Sequence, residues 1–207
     1  MASVDTTAGK VAWNLLQLGL NPSVQQQLYE EVDGWVQKEG MLVPEMFNRA
    51  NTPILQAIIR ETHRLTPAVF INLIKEVQNA PVELHGVTLS PGSVVAFDSY
   101  NPGRNPNWLE HPERFMPERW FSEAVEARKG TPAQTLDHPF FAGPFSQGAR
   151  RCPGSRVAFL EVQVLLAQLV LDWKLDIAED IQLQDVESKL ETTLVPVWPR
   201  IHFESRQ

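Results

Sequence analysis

The run Phe145-Ser146-Gln147-Gly148-Ala149-Arg150-Arg151-Cys152-Pro153-Gly154 holds the single cysteine of the chain and stands directly before the apolar stretch from Val157 to Trp173. A thiol becomes a good ligand only as its anion, and neighbouring cations and a helix N-terminus both favour that anion. Arg150 and Arg151 precede the sulfur, and Pro153 suits a first helical position, where its missing N–H costs nothing. Gly154 leaves the turn open to close approach. The run therefore predicts a helix over 153–172 whose first N–H groups point at Cys152. Taken alone, a lone cysteine is most often a buried free thiol, and that reading stays open here. A Cys/His nucleophile has less support, because His63, His85, His111, His138 and His202 fall in no local signature and no Cys-x-x-Cys-His run occurs.

Upstream of this loop, prolines at 102, 106, 112, 117, 132, 139 and 144 rule out long helices between Tyr100 and Pro144 and predict a meandering ordered coil. Before it, Val69 to Val77, Val82 to Leu84, Val87 to Leu89 and Ser93 to Phe97 read as strands of one small sheet, punctuated by Ala80-Pro81, His85-Gly86 and Ser90-Pro91-Gly92. A helix signalled by Thr52-Pro53 runs to Leu65, with Ile54, Leu55, Ile58, Ile59 and Leu65 on one buried stripe. Two further helices are expected at Asp5 to Leu20 and Pro22 to about Lys38, the second capped by Asn21 and closed by Gly40. Trp173 to Ile177 and Leu194 to Phe203 read as terminal strands. The fold class is mainly α with small β-sheets, an α+β arrangement.

The 207 residues are 43% hydrophobic, enough for a packed core. A net charge of -7 argues against a nucleic-acid binder. Arg150, Arg151 and Arg156 form a small basic cluster on that acidic background. One cysteine excludes an intrachain disulfide framework and any multi-cysteine zinc site. No targeting segment is visible at the N-terminus, and the most apolar stretch, Val157 to Trp173, is interrupted by Glu161, Gln163, Gln168 and Asp172, as in a core helix. Gly9-Lys10 lacks the upstream glycine of a phosphate loop.

The Cys152 run fits the pattern Phe-x-x-Gly-x-Arg-x-Cys-x-Gly at each specified position and resembles the haem-ligand loop of the cytochrome P-450 family. The resemblance implies that Cys152 is the proximal thiolate of haem b iron, pushing electron density toward O–O cleavage. It implies further that Phe145 packs beside the sulfur, that Gly148 turns the loop under the porphyrin, that Gly154 belongs to the same cofactor-binding turn, and that Arg150 pairs with a haem propionate. Glu61-Thr62-His63-Arg64 puts a carboxylate and a guanidinium on one helix face, by itself a commonplace solvated pair worth a few tenths of a kcal/mol. In the family, a Glu-x-x-Arg pair lies in the helix before the small sheet and a third arginine from the meander completes a buried triad. The phrase Pro-x-x-Phe-x-Pro-x-Arg-aromatic fits Pro112 to Trp120 only with Arg119 as that member, which leaves Arg114 at the surface.

Ala2-Ser3-Val4-Asp5-Thr6-Thr7 resembles the family's oxygen-side segment, with Ser3 in place of the usual second glycine. The resemblance implies that Thr6 positions water and a proton at the bound oxygen and that Asp5 helps relay protons. The residues alone favour a reading as helix caps, and the order and spacing of the matching segments along the chain raise the catalytic one above it. Ser3 to Thr7, Gly103-Arg104-Asn105-Pro106 and Pro117-Glu118-Arg119-Trp120 look most like the mitochondrial group. An arginine that many members carry for a propionate is absent; Ile74 stands there, with Lys75 as a substitute.

The resemblance covers the C-terminal half of the family fold, so residues 1–207 are expected to form one partial domain. It implies a haem-thiolate monooxygenase that inserts one oxygen atom of O2 into an apolar small molecule such as a sterol or other lipid. A ferredoxin-type or flavoprotein partner would donate the electrons. Pro67 to Ile71 and Leu194 to Trp198 would line the pocket. Membrane contact would come only through the missing N-terminal half, and the parent enzyme would sit at the mitochondrial inner membrane or endoplasmic reticulum. Two alternatives remain at this point: a haem-thiolate isomerase or dehydratase, which needs no oxygen-activating relay, and an inactive haem-binding fragment.

Overall fold

A computed structural model describes residues 2–69, 71–177, 181–190 and 193–206, with the side chains of residues 2, 3, 71–73, 140, 142, 150 and 198 excepted. Four helices carry the core: α1 (Ala2–Leu20), α2 (Pro22–Glu39), α3 (Pro53–Leu65) and, late in the chain, α6 (Ser155–Asp172). Between α3 and α6 lie the short α4 (Ser122–Ala127) and α5 (Pro139–Ala142). Leu18, Leu28, Val32, Met46, Leu55, Ile58, Leu166, Val170 and Leu175 form one buried cluster to which all four long helices contribute. The stripe expected on α3 is the one that enters it: Leu55 and Ile58 are fully enclosed and Ile59 nearly so, while Ile54 packs at its edge.

The ends of these helices are secured differently from the sequence expectation. Asn21 makes no side-chain cap; its Nδ2 donates back to Gln17 O at 2.8 Å. Thr52 spends its hydroxyl on Met46 O, and the N-terminus of α3 is instead closed by Glu31 of α2, whose carboxylate accepts from Ile54 N at 2.8 Å and Leu55 N at 2.9 Å. A carboxylate there meets free N–H groups and the positive end of the helix dipole. Burial raises the Glu31 pKa, and the two N–H donors oppose that rise. The Gln25 amide ties α2 to the strand after α6, accepting from Leu175 N and donating to Leu175 O, both at 2.8 Å.

The expected single sheet between 69 and 97 is two separate antiparallel ribbons. The strand β1 (Ile71–Glu76) pairs with β4 (Val94–Asp98), and β2 (Val82–Leu84) pairs with β3 (Val87–Leu89). Val77 N and Gly92 N link the base of the outer hairpin, and all residues of β2 and most of β3 and β4 are exposed, so no shared face forces the ribbons together. The expected strand from Leu194 to Phe203 is also two, β7 (Leu194–Trp198) and β8 (His202–Ser205), divided at Pro199-Arg200. They serve different partners: β8 pairs with β5 (Trp173–Asp176), and β7 pairs with β6 (Glu187–Leu190). The sequence reading passed over β6, whose Glu-Ser-Lys-Leu run is wholly exposed and carries little apolar alternation.

No helix among the described residues is long and apolar enough to cross a membrane.

Candidate functional site

The loop before α6 is shaped by its own backbone. Cys152 N donates to Phe145 O at 2.9 Å, closing the run into a ring, and Arg151 N donates to Gly148 O at 3.1 Å across the short turn Gly148–Arg150. Gly148 sits at φ +72°, the left-handed region that a side chain enters at a cost of roughly 1 to 2 kcal/mol. Nothing crowds an added Cβ there, so conformation alone calls for glycine. Gly154 has φ -82° and room for a Cβ, with Cys152 Sγ at 3.9 Å from it; the folded chain itself does not demand glycine at that position.

Pro153 is not the first helical residue. The helix starts at Ser155 with Gly154 as its N-cap, and Pro153 lies in the turn, where Ser155 N meets Cys152 O at 3.4 Å. Cys152 is therefore an exposed free thiol at the mouth of α6, not the buried thiol that a lone cysteine usually becomes. Arg151 and Arg156 are exposed on either side of it, while the Arg150 side chain lies outside the described part. Phe145 meets Phe159 of α6 edge-on, with ring centroids 6.5 Å apart. Val157, Leu160, Val164 and Leu165 leave an exposed apolar face on the same helix.

Such a donor set suits haem: one accessible sulfur on a loop closed by its own backbone hydrogen bonds, exposed guanidiniums of Arg151 and Arg156 for anionic groups, and an exposed apolar face on α6. Among the described residues no group of His, Cys, Asp and Glu is arranged to hold a metal ion by itself.

On α3, Glu61 and Arg64 are paired in the core. Arg64 Nε reaches Glu61 Oε2 at 2.9 Å and Nη2 reaches Oε1 at 2.8 Å, with side-chain exposures of 3% and 0%. The remaining Arg64 donors bind Gly103 O and Pro112 O at 2.6 Å and Arg114 O at 3.0 Å, so one guanidinium gathers three points of the meander onto α3. Gly103 is needed for this approach, since a Cβ there would stand 2.8 Å from Arg64 O.

Arg119 lies beside the pair, Nε to Glu61 Oε1 at 3.4 Å without an aligned hydrogen bond, and its Nη2 holds Glu110 O at 2.7 Å and His111 O at 2.9 Å. Burial lowers the Arg119 pKa, and Glu61 opposes that. Arg114 has an exposed side chain and lends only its carbonyl. Two donors escaped the sequence reading: Trp120 Nε1 binds Glu61 Oε2 at 2.8 Å, and Met116 N binds Oε1 at 3.0 Å. The aromatic position after Arg119 was the available signal for the first. The guanidiniums of Arg60 and Arg128 also lie over the Trp120 ring, at 4.2 and 5.1 Å from its centre.

At the other end of the chain, α1 already begins at Ala2, so Asp5 stands in its first turn and Thr6 follows inside the helix, and neither is an N-cap. Asp5 is exposed and Thr6 half-buried. One turn on, Gly9 packs against the approach to β7 and Lys10 turns inward, where Nζ donates to Thr66 O at 2.6 Å at the end of α3. Burial lowers the Lys10 pKa to about 7. Burial, with the nearby Lys10 charge, lowers that of His63 to about 3. Trp13 Nε1 donates to Leu194 O at 2.9 Å and fixes β7 along α1. Lys75 is exposed on β1, Pro67 is buried, and Phe70 lies outside the described residues.

Known proteins bear on this arrangement. A family model described as Cytochrome P450 matches residues 1–201. Sterol 26-hydroxylase, mitochondrial, of Homo sapiens is 36% identical over 196 residues, 95% of this chain and 35% of the relative. The 25-hydroxyvitamin D-1 alpha hydroxylase, mitochondrial, of Homo sapiens is 30% identical across 95% of this chain and 36% of its own length, and 2-hydroxyisoflavanone synthase of Glycine max is 32% identical across 82% and 32%. The chain spans about a third of the length of the curated relatives it matches.

Proposed function

The chain belongs to the cytochrome P450 family, most like its mitochondrial group, and on that premise we propose that it is the haem-thiolate part, one partial domain over residues 1–207, of a longer monooxygenase. The observation that carries the proposal is the exposed Cys152 thiol on a self-closed loop at the mouth of α6. The family cofactor is haem b. Bound here, it would supply the activation of O2 and the insertion of one oxygen atom into an apolar substrate, with electrons from a redox protein.

The residues of the chain do the rest. Cys152 would hold the iron through its sulfur, and Arg150 would take a propionate. Phe145, Gly148 and Gly154 would shape the turn beneath the ring. Thr6, half-buried on α1, orients a water and holds a proton on the oxygen side, and Asp5 exchanges that proton with solvent. Glu61, Arg64 and Arg119 set the meander that delivers the Cys152 loop. The substrate we assign is a sterol or comparable lipid, the electron donor a ferredoxin-type protein or flavoprotein reductase, and the compartment of the parent enzyme the mitochondrion. The names of the human relatives support the substrate and compartment.

The test is the reduced CO spectrum of a haem-loaded preparation. A thiolate-type band that is lost in Cys152→His supports the assignment, and an unchanged band in that variant refutes it.

A further inference from the structure

The loop that carries Cys152 leaves ordinary backbone at two places. Ser146 stands at φ +60° and Gly148 at φ +72°, with Gln147 extended between them at φ -133° and ψ 164°. Glycine takes the left-handed region freely, whereas a serine enters it where the surrounding structure holds it there. Inside the loop, Cys152 N meets Phe145 O and Arg151 N meets Gly148 O. These bonds fix its shape. Its Cys152 end continues into α6, onto which Phe145 packs edge-on at Phe159.

The side toward the meander is tied by Gln147. Its Nε2 donates at 3.2 Å to Pro139 O, the carbonyl at the head of α5 that also accepts from Gly143 N at 3.1 Å. Gly143 lies at the centre of this joint. A Cβ there would stand 2.6 Å from Pro139 O and 2.9 Å from Gln147 Nε2, so a side chain at 143 would force acceptor and donor apart. The short helix α5 is in turn set against the α3 network. Its Phe141 ring stands edge-on to Trp108, with centroids 5.7 Å apart, and lines a cavity of about 20 Å³ together with Arg60, Arg64, Gly103 and Trp120. The Glu61–Arg64 pair and the thiol loop are thereby joined through one short helix and one amide.

We propose that Gln147 is a positioning residue for the Cys152 sulfur, its amide latching the thiol loop onto Pro139 O and holding the sulfur in register with the α3 network. The inference rests on the reading of Cys152 as iron ligand, while the latch itself is a property of the chain without haem. A ligand must meet its partner in a fixed geometry, which a loop supplies when it is held beforehand by its neighbours. The requirement at 147 is a hydrogen-bond donor at glutamine's reach. Methionine keeps the length and lacks the donor; lysine keeps a donor.

The test is backbone amide hydrogen exchange in the haem-free chain of 207 residues, with the reduced CO spectrum of haem-loaded material as a second reading. Gln147→Met should speed exchange at the Cys152 and Arg151 amides by about three- to tenfold, the worth of one neutral hydrogen bond, and leave the core amides of Ile58 and Leu166 within about twofold. Gln147→Lys should restore the protection of the parent. In haem-loaded Gln147→Met the thiolate-type share of the CO band should fall relative to total haem, and Gln147→Lys should keep the parental share. Unchanged loop exchange in Gln147→Met, equal acceleration of loop and core, or a Gln147→Lys loop as open as that of Gln147→Met overturns the latch. A loop that opens while the thiolate-type share stays parental overturns the positioning role. A parent chain without a thiolate-type band refutes ligation by Cys152, and the exchange rates then decide the latch by themselves.

Discussion

Replacing Arg64 by alanine probes the joint between α3 and the meander most directly. The change strands the Glu61 carboxylate, 0% exposed, with two neutral donors, Met116 N and Trp120 Nε1, and with Arg119 at 3.4 Å. Breaking a buried ion pair from one side costs about 3 to 5 kcal/mol. Three carbonyls, of Gly103, Pro112 and Arg114, lose their common donor as well, and each one left dry adds about 1 to 3 kcal/mol. The sum reaches the whole stability of an ordinary domain, about 5 to 15 kcal/mol, so Arg64→Ala should not fold. Arg119→Ala removes a partner that lacks an aligned bond to Glu61 and is 11% exposed, which places its cost between the surface and buried ranges, about 1 to 3 kcal/mol. Trp120→Phe deletes one hydrogen bond to a charged group and should cost about 1.5 to 3 kcal/mol. Arg114→Ala keeps the carbonyl that Arg64 uses and should stay within about 0.5 kcal/mol. Urea unfolding followed by far-UV circular dichroism gives the three finite values without relying on Trp120 fluorescence, and the spectrum without urea shows whether Arg64→Ala folds. A cost for Arg114→Ala equal to that of Arg119→Ala, or an Arg64→Ala chain as stable as the parent, would refute this account of the network.

Stability should rise with pH through two windows. His63 binds a proton at about 6.5 unfolded and about 3 folded, and Lys10 at 10.5 unfolded and about 7 folded, so in each interval the unfolded chain holds more protons. The Lys10 penalty is complete below about 7 and gone above 10.5; Lys10→Met should flatten the unfolding midpoint over that interval, and a slope unchanged in the variant would assign it elsewhere. Glycine replacements should separate space from propensity. Gly34 lies inside α2 with open space around its Cβ position, and Gly34→Ala should stabilise by about 1 kcal/mol, whereas Gly103→Ala drives a Cβ to 2.8 Å from Arg64 O and should destabilise, both read from thermal midpoints.

Local chemistry and period were legible in the chain because they act over a few residues. The helices over 22–39 and 53–65 follow from Pro at their first position and from apolar spacing, and the proline-rich stretch from 102 to 144 reads as short turns because proline cannot extend a helix. The Cys152 loop was equally legible, since its pattern is a property of ten consecutive residues. Pairing and partnership were not. Whether Glu61 and Arg64 are solvated or buried depends on three meander carbonyls and an indole that arrive from 39 to 59 residues away. Thr52 and Glu31 exchanged roles because a carboxylate from α2 happened to reach the α3 terminus, and no local pattern carries that distance. The exposed ribbons divided as they did because exposed strands lack a common buried face to fix one register. Sequence thus determined which segments curl, stop and carry the thiol, through short-range sterics and propensity. Tertiary structure alone decided which charges are dry and paired, and which, like Lys10, are drawn inward onto a backbone carbonyl, because burial belongs to the packed assembly of elements and to no single stretch of the chain.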